Sequence, residues 1–327
     1  MKIAILDDYA NAALRLADWS EVLRSAEIAA FDRFLAPEEM PAALRDFDVI
    51  CTLRERSIIP AGVMAALPGL KLITVTDPRV RTIDFNAAAD CGILVSEARS
   101  PAPTAPSPAT AEFAWGLLLA LVRHIPSEAA NLRAGRWQSS LGTTLAGRTL
   151  GLVGLGKIGR RIAHYARAFD MNVLAWSQNL TKDAAAAAGT TWVEKGDLFH
   201  LSDIVSVHYV LSPRSRGLVG AHEIAAMKPS AYLVNTSRGP IVDEEALVAA
   251  LRAKKIAGAG LDVFDREPLP ADHPLLALDN VVLTPHLGFV TQEAMQRYYE
   301  GMAFAVRAFL EEEPINLLSA EGLPASA

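Results

Sequence analysis

The sequence predicts an α/β protein built from two doubly wound parallel-sheet domains. Three observations point there. Short apolar, β-branched runs alternate with helix-like stretches along the chain. A proline-rich stretch interrupts that alternation near residue 100. The 327 residues also amount to two domains at roughly 150 residues each.

In the first hundred residues, strands are expected at Lys2–Leu6, Asp48–Leu53, Lys71–Thr76 and Ile93–Ser96. Helices are expected at Ala10–Ser25, Pro37–Phe47, Ala61–Leu67 and Asp84–Cys91. Residues 100–108 read SPAPTAPSP, which continues neither a helix nor a central strand. It is read as a domain boundary, with a stiff surface loop as the plainer alternative. Ala111–Arg136 follows as a long helix with an apolar face. A second series then places strands at Thr149–Val153, Asn172–Trp176, Asp203–Tyr209, Ala231–Asn235, Ala259–Phe264 and Asn280–Thr284. A last helix runs from about Gln292 to Glu312. The expected division is 1–99 plus 291–327 for one domain and 100–290 for the other.

Composition excludes several classes. Hydrophobic residues make up 51% and charged residues 21%, which is enough apolar material for two cores. With 31 basic against 37 acidic residues and no dense Lys/Arg cluster, no nucleic-acid footprint is expected. The apolar run Ala111–Val122 is too short to span a bilayer, and the N-terminus does not read as a signal peptide. Cys51 and Cys91 read as reduced thiols of a cytoplasmic protein. No metal site is expected.

Residues 154–159 read Gly154-Leu155-Gly156-Lys157-Ile158-Gly159, straight after the apolar strand Thr149–Val153 and at the start of a helical stripe. In that context each glycine has a task. Gly154 permits the tight turn, Gly156 the close approach of a pyrophosphate, and Gly159 the packing of helix on strand. The helix N-terminus then offers free N–H groups and a positive dipole end to phosphates. The next strand ends in Ser177-Gln178-Asn179, and Ser177 stands 23 residues after Gly154. An acid there would bond the ribose 2′-hydroxyl of NAD and repel a 2′-phosphate. Its absence favours NADP and leaves NAD open.

Three further strand ends carry polar residues: Asn235-Thr236-Ser237-Arg238-Gly239, Asp262 to Glu267, and Thr284-Pro285-His286. In open α/β sheets ligands bind at the carboxyl ends of strands. Arg238 suits an anionic substrate, because its fork is always charged and binds carboxylates bidentately. His286 suits proton transfer near neutral pH, and Glu267 suits an orienting carboxylate.

The stretches GLVGLGKIGRRIA, LVNTSRGPIVDEEAL, GLDVFDREPLPADHPL and NVVLTPHLG resemble the D-isomer-specific 2-hydroxyacid dehydrogenase family. So do the spacings of 29 residues from Arg238 to Glu267 and 19 from Glu267 to His286. The resemblance covers nearly all of the second half. It implies a Rossmann dinucleotide-binding domain beside a flavodoxin-like substrate domain, with the ligand cleft between them. It assigns Arg238, Glu267 and His286 to catalysis and Asp262 to the nicotinamide carboxamide. It also places His208, Thr236, Ser237 and Gly288 along the cofactor. His124, His164, His200, His222 and His273 read as helix-surface or loop residues.

The first half resembles the family more weakly. Where most members have a glycine-rich turn whose N–H groups hold the substrate carboxylate, this chain has Asp77-Pro78-Arg79-Val80-Arg81-Thr82. Pro78 has no N–H. Arg79 or Arg81 either replaces that donation by charge or is a solvated loop arginine, and Arg54 is a second candidate for substrate contact. The implied reaction is hydride transfer between NAD(P)H and a small 2-oxo acid or D-2-hydroxy acid, in a homodimer. The alternative is a dinucleotide-sensing, corepressor-like protein with little turnover.

Overall fold

The computed structural model describes residues 1–99 and 107–320. Most of the proline-rich stretch, 100–106, lies outside them. The chain divides into two compact units, Met1–Pro106 with Thr291–Ala327, and Ser107–Val290.

The first unit holds β1 (Lys2–Ile5), β2 (Glu27–Ala30), β3 (Val49–Thr52), β4 (Leu72–Val75) and β5 (Leu94–Glu97). They are all parallel, in the order β2-β1-β3-β4-β5. This is the flavodoxin-like doubly wound arrangement. Every residue of β3 and β4 is buried, because helices cover both faces of a parallel sheet. That is why they read as unbroken apolar runs. Strand β2 was not expected: it lies at the sheet edge, is mostly exposed, and carries no such run. Of the long helix expected over Ala10–Ser25, only Ala13–Leu16 and Ser20–Leu23 form. Of Pro37–Phe47, only Met40–Ala43 does. The terminal helix Gln292–Leu310 belongs to this unit and buries Met295, Tyr299, Met302 and Val306 on one stripe. The Tyr299 hydroxyl donates to Asp8 Oδ1 at 2.9 Å and ties the helix to the end of β1.

The second unit holds β6 (Thr149–Val153), β7 (Asn172–Trp176), β8 (Thr191–Trp192), β9 (Ile204–Val207), β10 (Tyr232–Asn235), β11 (Gly258–Leu261) and β12 (Val281–Leu283). Their order is β12-β11-β10-β9-β6-β7-β8, all parallel. Counted from β6, that is the Rossmann order extended by one strand, with the switch point between β6 and β9. Register places the functional residues. Val153 pairs with Trp176 and Val207, Val207 with Asn235, Asn235 with Leu261, and Leu261 with Leu283. The strands therefore end in one row. Gly154, Ser177, His208, Thr236, Asp262 and Thr284 all leave the sheet along the same edge.

The helix expected over Ala111–Arg136 is two helices, Ala109–Val122 and Ile125–Arg133. The break falls at His124, which has φ +53°, just before Pro126. The first helix buries Leu117, Leu118 and Leu121, while the second buries none of its residues. Among the described residues, no helix is long and apolar enough to cross a membrane.

Candidate active site

The glycine turn is held by its neighbours on the sheet. Gly154 N–H donates to Trp176 O at 2.8 Å, and Gly154 has φ +100°. A side chain there would also collide with the carbonyl of His208. Gly159 lies as tightly against the carbonyl of Gly154, so the helix Lys157–Ala168 starts directly on the turn. Gly156, the residue before that helix, faces open space instead. Lys157 is exposed and Ile158 packs toward the core. The result is a helix N-terminus open to an anion.

The adjoining strand ends leave two polar atoms shielded. Thr236 Oγ1 and His208 Nδ1 are buried and have no hydrogen-bond partner among the described residues. Burial pushes the His208 imidazole down to about 4, so the ring is neutral, and its Nε2 lies 2.9 Å from Ser206 Oγ. An open cradle at Gly156 flanked by these unused polar atoms fits a dinucleotide. Ser177 is half-buried, while Gln178 and Asn179 are exposed. Gln178 N–H donates to the Tyr209 hydroxyl at 3.4 Å, and the Tyr209 ring stacks on Trp176 with centroids 6.4 Å apart. Sequence reasoning did not single out Tyr209, whose only signal is its place beside His208.

Arg238 hangs from a braced turn. Asn235 accepts from Ser237 N–H and donates to the Arg238 carbonyl, both at 3.0 Å. Ser237 Oγ donates to Val207 O at 2.8 Å and accepts from Tyr209 N–H at 3.2 Å, bolting the turn to β9. Arg238 Nη1 donates to Ser237 O at 2.7 Å. Gly239 then packs against the Phe264 and Asp265 backbone so closely that a Cβ would overlap it. Gly239→Ala should therefore cost roughly 1–3 kcal/mol as an overpacked site. At ~2–4 °C per kcal/mol for a unit of this size, thermal unfolding should show it.

The turn against Gly239 carries Glu267. Its Oε1 accepts from Phe264 N–H at 3.0 Å, and its Oε2 lies 2.6 Å from His286 Nδ1. Burial works to raise the Glu267 carboxyl. The His286 hydrogen bond and charge, Phe264 N–H and Arg238 outweigh it and hold the group below its ordinary 4.5. A depressed folded value means the pair's contribution is fully present above 4.5 and is lost as pH falls through the lowered value. The thermal-stability difference between wild type and Glu267→Gln should accordingly shrink as pH is lowered below 4.5.

His286 has φ +54°, a conformation that needs support. Asp262 supplies it. Its Oδ1 accepts from Thr284 Oγ1 at 2.7 Å and Leu287 N–H at 2.8 Å, and its Oδ2 from Gly288 N–H at 2.8 Å. Burial pushes the Asp262 carboxyl up against these donors. The structure thus places Asp262 beneath the His286 turn, engaged by that turn on both oxygens. Phe289 meets the imidazole edge-on at 5.6 Å. With Nδ1 committed to Glu267, Nε2 is left to exchange a proton.

In the first unit, Asp77 holds Arg79 by N–H at 3.0 Å and Nε at 3.4 Å, and lies 3.5 Å from Arg54 Nη2. Arg54 N–H also donates to Thr76 Oγ1 at 2.8 Å, and its Nη1 to the Tyr298 hydroxyl at 3.1 Å. Pro78 is half-buried in this turn.

A glycine-cradled helix N-terminus, an arginine and a carboxylate-paired histidine on one edge of a Rossmann sheet define a dinucleotide-dependent oxidoreductase. Residues 115–288 match the family model for the D-isomer specific 2-hydroxyacid dehydrogenase NAD-binding domain. The chain belongs to that family of NAD-binding 2-hydroxyacid dehydrogenases. It is 39% identical over 284 residues to a glyoxylate reductase of Thermofilum pendens, covering 84% of this chain and 82% of the relative. It is 37% identical over 290 residues to a D-3-phosphoglycerate dehydrogenase of Methanocaldococcus jannaschii. That match covers 86% of this chain, which spans only 54% of that relative. A solved phosphoglycerate oxidoreductase of Vibrio cholerae superposes with a TM-score of 0.88 at 36% identity, covering 95% of this chain and 99% of the other.

Proposed function

We propose that the chain interconverts a small 2-oxo acid and its D-2-hydroxy acid with NAD(P)H. The observation that carries this reading is the His286–Glu267 pair at 2.6 Å on the sheet edge that also bears Arg238. A bound reduced dinucleotide supplies the hydride. Arg238 holds the substrate's carboxylate and carbonyl. His286 Nε2 hands a proton to the developing alkoxide, while Glu267 steadies the imidazolium and its orientation. The dinucleotide-binding set is Gly154, Gly156, Lys157, Ile158, Gly159, Ser177, Gln178, Asn179, His208, Thr236, Ser237, Asp262 and Gly288. In the first unit, Arg54 is the anion-binding residue we favour, because two partners fix its guanidinium and its side chain is 27% exposed. Arg79 is 72% exposed and folds onto Asp77.

Both coenzymes are accepted on this reading. Ser177, Gln178 and Asn179 offer no charge to repel a 2′-phosphate. The nearby lysines are engaged: Lys182 lies over Trp192 at 5.3 Å, and Lys195 pairs with Glu223 at 3.0 Å. Ser177→Asp should turn the preference toward NADH by roughly tenfold, about 1.4 kcal/mol of like-charge repulsion. The ratio of kcat/KM with the two coenzymes reads it directly. A homodimer is proposed through the helix Ile125–Arg133 and the loop after it, where Trp137 is 81% and Leu141 88% exposed.

The test is initial rates with NADPH and NADH against glyoxylate, hydroxypyruvate, pyruvate, 2-oxobutyrate, phenylpyruvate and 2-oxoglutarate. Turnover of at least one acid is expected. Tight coenzyme binding with none turned over would refute the reading.

A further inference from the structure

A second histidine–carboxylate pair lies behind the first. His273, which the sequence suggested was a surface or loop residue, has a side chain only 16% exposed. Its Nδ1 accepts from Leu275 N–H at 3.3 Å, capping the turn Pro274–Ala277. Nε2 therefore carries the hydrogen and donates to Glu244 Oε1 at 3.0 Å. Glu244 opens the helix Glu244–Arg252, and its other oxygen accepts from Asp265 N–H at 3.2 Å.

The consequence lies in the turn that carries Glu267. Two successive peptide N–H groups are held by two different carboxylates: Phe264 N–H by Glu267, and Asp265 N–H by Glu244. Asp265 and Arg266 are themselves exposed, and no strand pairing holds them. Gly239 packs on the Phe264 and Asp265 backbone from the Arg238 turn. Glu244 is thus the side chain that pins the exposed end of the turn. Its charge stands among like charges, since Asp243 and Asp265 are neighbours, and burial first, then Glu244 and Asp243, raises the Asp265 carboxyl. Arg216 and His273 act on Asp265 in the opposite sense. Facing His286 are Glu267 and Asp262, with Arg238 acting on Glu267.

We propose that His273 and Glu244 form a positioning pair that clamps the Phe264–Glu267 turn and so keeps Glu267 against His286. This rests on the roles proposed above for Glu267 and His286. It assigns no chemistry to the pair: neither residue touches a reacting atom. An orienting partner of this kind is typically worth roughly 10–100-fold in activity.

The test uses the whole chain and three variants. His273→Asn keeps an acceptor for Leu275 N–H but is too short for Glu244. His273→Gln restores a donor at the right reach. Glu244→Gln keeps the volume but must give up one of its two contacts, and it serves where His273→Asn does not fold. Two readouts are taken. One is the low-field proton resonance of His286 Nδ1–H in ¹⁵N-histidine-labelled protein, assigned by its loss in His286→Ala. The other is kcat and KM with the best 2-oxo acid, alongside coenzyme binding. His273→Asn and Glu244→Gln should shift or broaden the resonance and lower kcat by roughly tenfold with coenzyme affinity unchanged, and His273→Gln should recover most of both. An unchanged resonance and kcat in His273→Asn and Glu244→Gln would overturn the proposal, even if thermal stability fell, because the pair would then be merely structural. If wild type turns over no 2-oxo acid, the proposed reaction fails, and the resonance still decides the clamp.

Discussion

Replacing His286 by alanine should lower turnover by about 10²–10⁴-fold while coenzyme binding stays close to wild type. The size follows from the task. Hydride addition to a carbonyl leaves an alkoxide, which needs a proton within hydrogen-bond reach. On the second unit's sheet edge, His286 is the titratable group proposed for that role. Its Nδ1 is taken by Glu267 at 2.6 Å and its backbone is propped by Asp262. Among the described residues, removing the imidazole leaves Glu267 with the Phe264 N–H bond at 3.0 Å and the charge of Arg238, a carboxylate that accepts but cannot donate at neutral pH. The glycine turn and the helix behind it are untouched, so coenzyme titration by fluorescence should be unchanged. Equal turnover in the variant would remove His286 from the mechanism. Lost coenzyme affinity would instead mean that the Thr284–Gly288 turn had collapsed.

The parts of this site legible in the sequence are those written in local pattern. The buried strands were readable because both of their faces are covered, so β3, β4, β9 and β10 appear as apolar runs. The glycine turn was readable because strand, turn and helix are contiguous. The edge strands β2 and β8 were not: one is exposed and the other only two residues long, and neither needs an apolar run. The break at His124 was signalled in the sequence by Pro126, which stands in the first turn of the second helix.

Contacts made across the fold left no local signal. Gly239 looks like an ordinary turn glycine until it is found against Phe264. Nothing local in the sequence shows that the Asp262 oxygens hold Thr284, Leu287 and Gly288. His273 and Glu244 stand 29 residues apart in the chain and meet only once the helix Glu244–Arg252 is packed. The motifs carried the identities of Arg238, Glu267 and His286, while what braces each of them is a property of the folded chain.

Arg238→Lys should lower kcat/KM for the 2-oxo acid by roughly 10–100-fold, the loss of one charge-assisted hydrogen bond worth about 1.5–3 kcal/mol. Charge alone does not set this figure, since lysine keeps it. The guanidinium is a planar fork whose Nη1 is already fixed on Ser237 O at 2.7 Å. That bond orients the plane of a fork whose geometry suits a carboxylate and a carbonyl together. An ammonium on a flexible stem can satisfy one of these partners and must search for it. The brace around the residue is made by the side chains of Asn235 and Ser237 on the main chain, so it survives the substitution. The defect should therefore fall on kcat/KM with little change in thermal stability. Lysine also remains able to act on the Glu267 carboxylate, so the His286–Glu267 hydrogen bond should persist in the variant's proton spectrum. A variant that kept full kcat/KM would show that the substrate is held elsewhere, and would shift attention to Arg54 in the first unit.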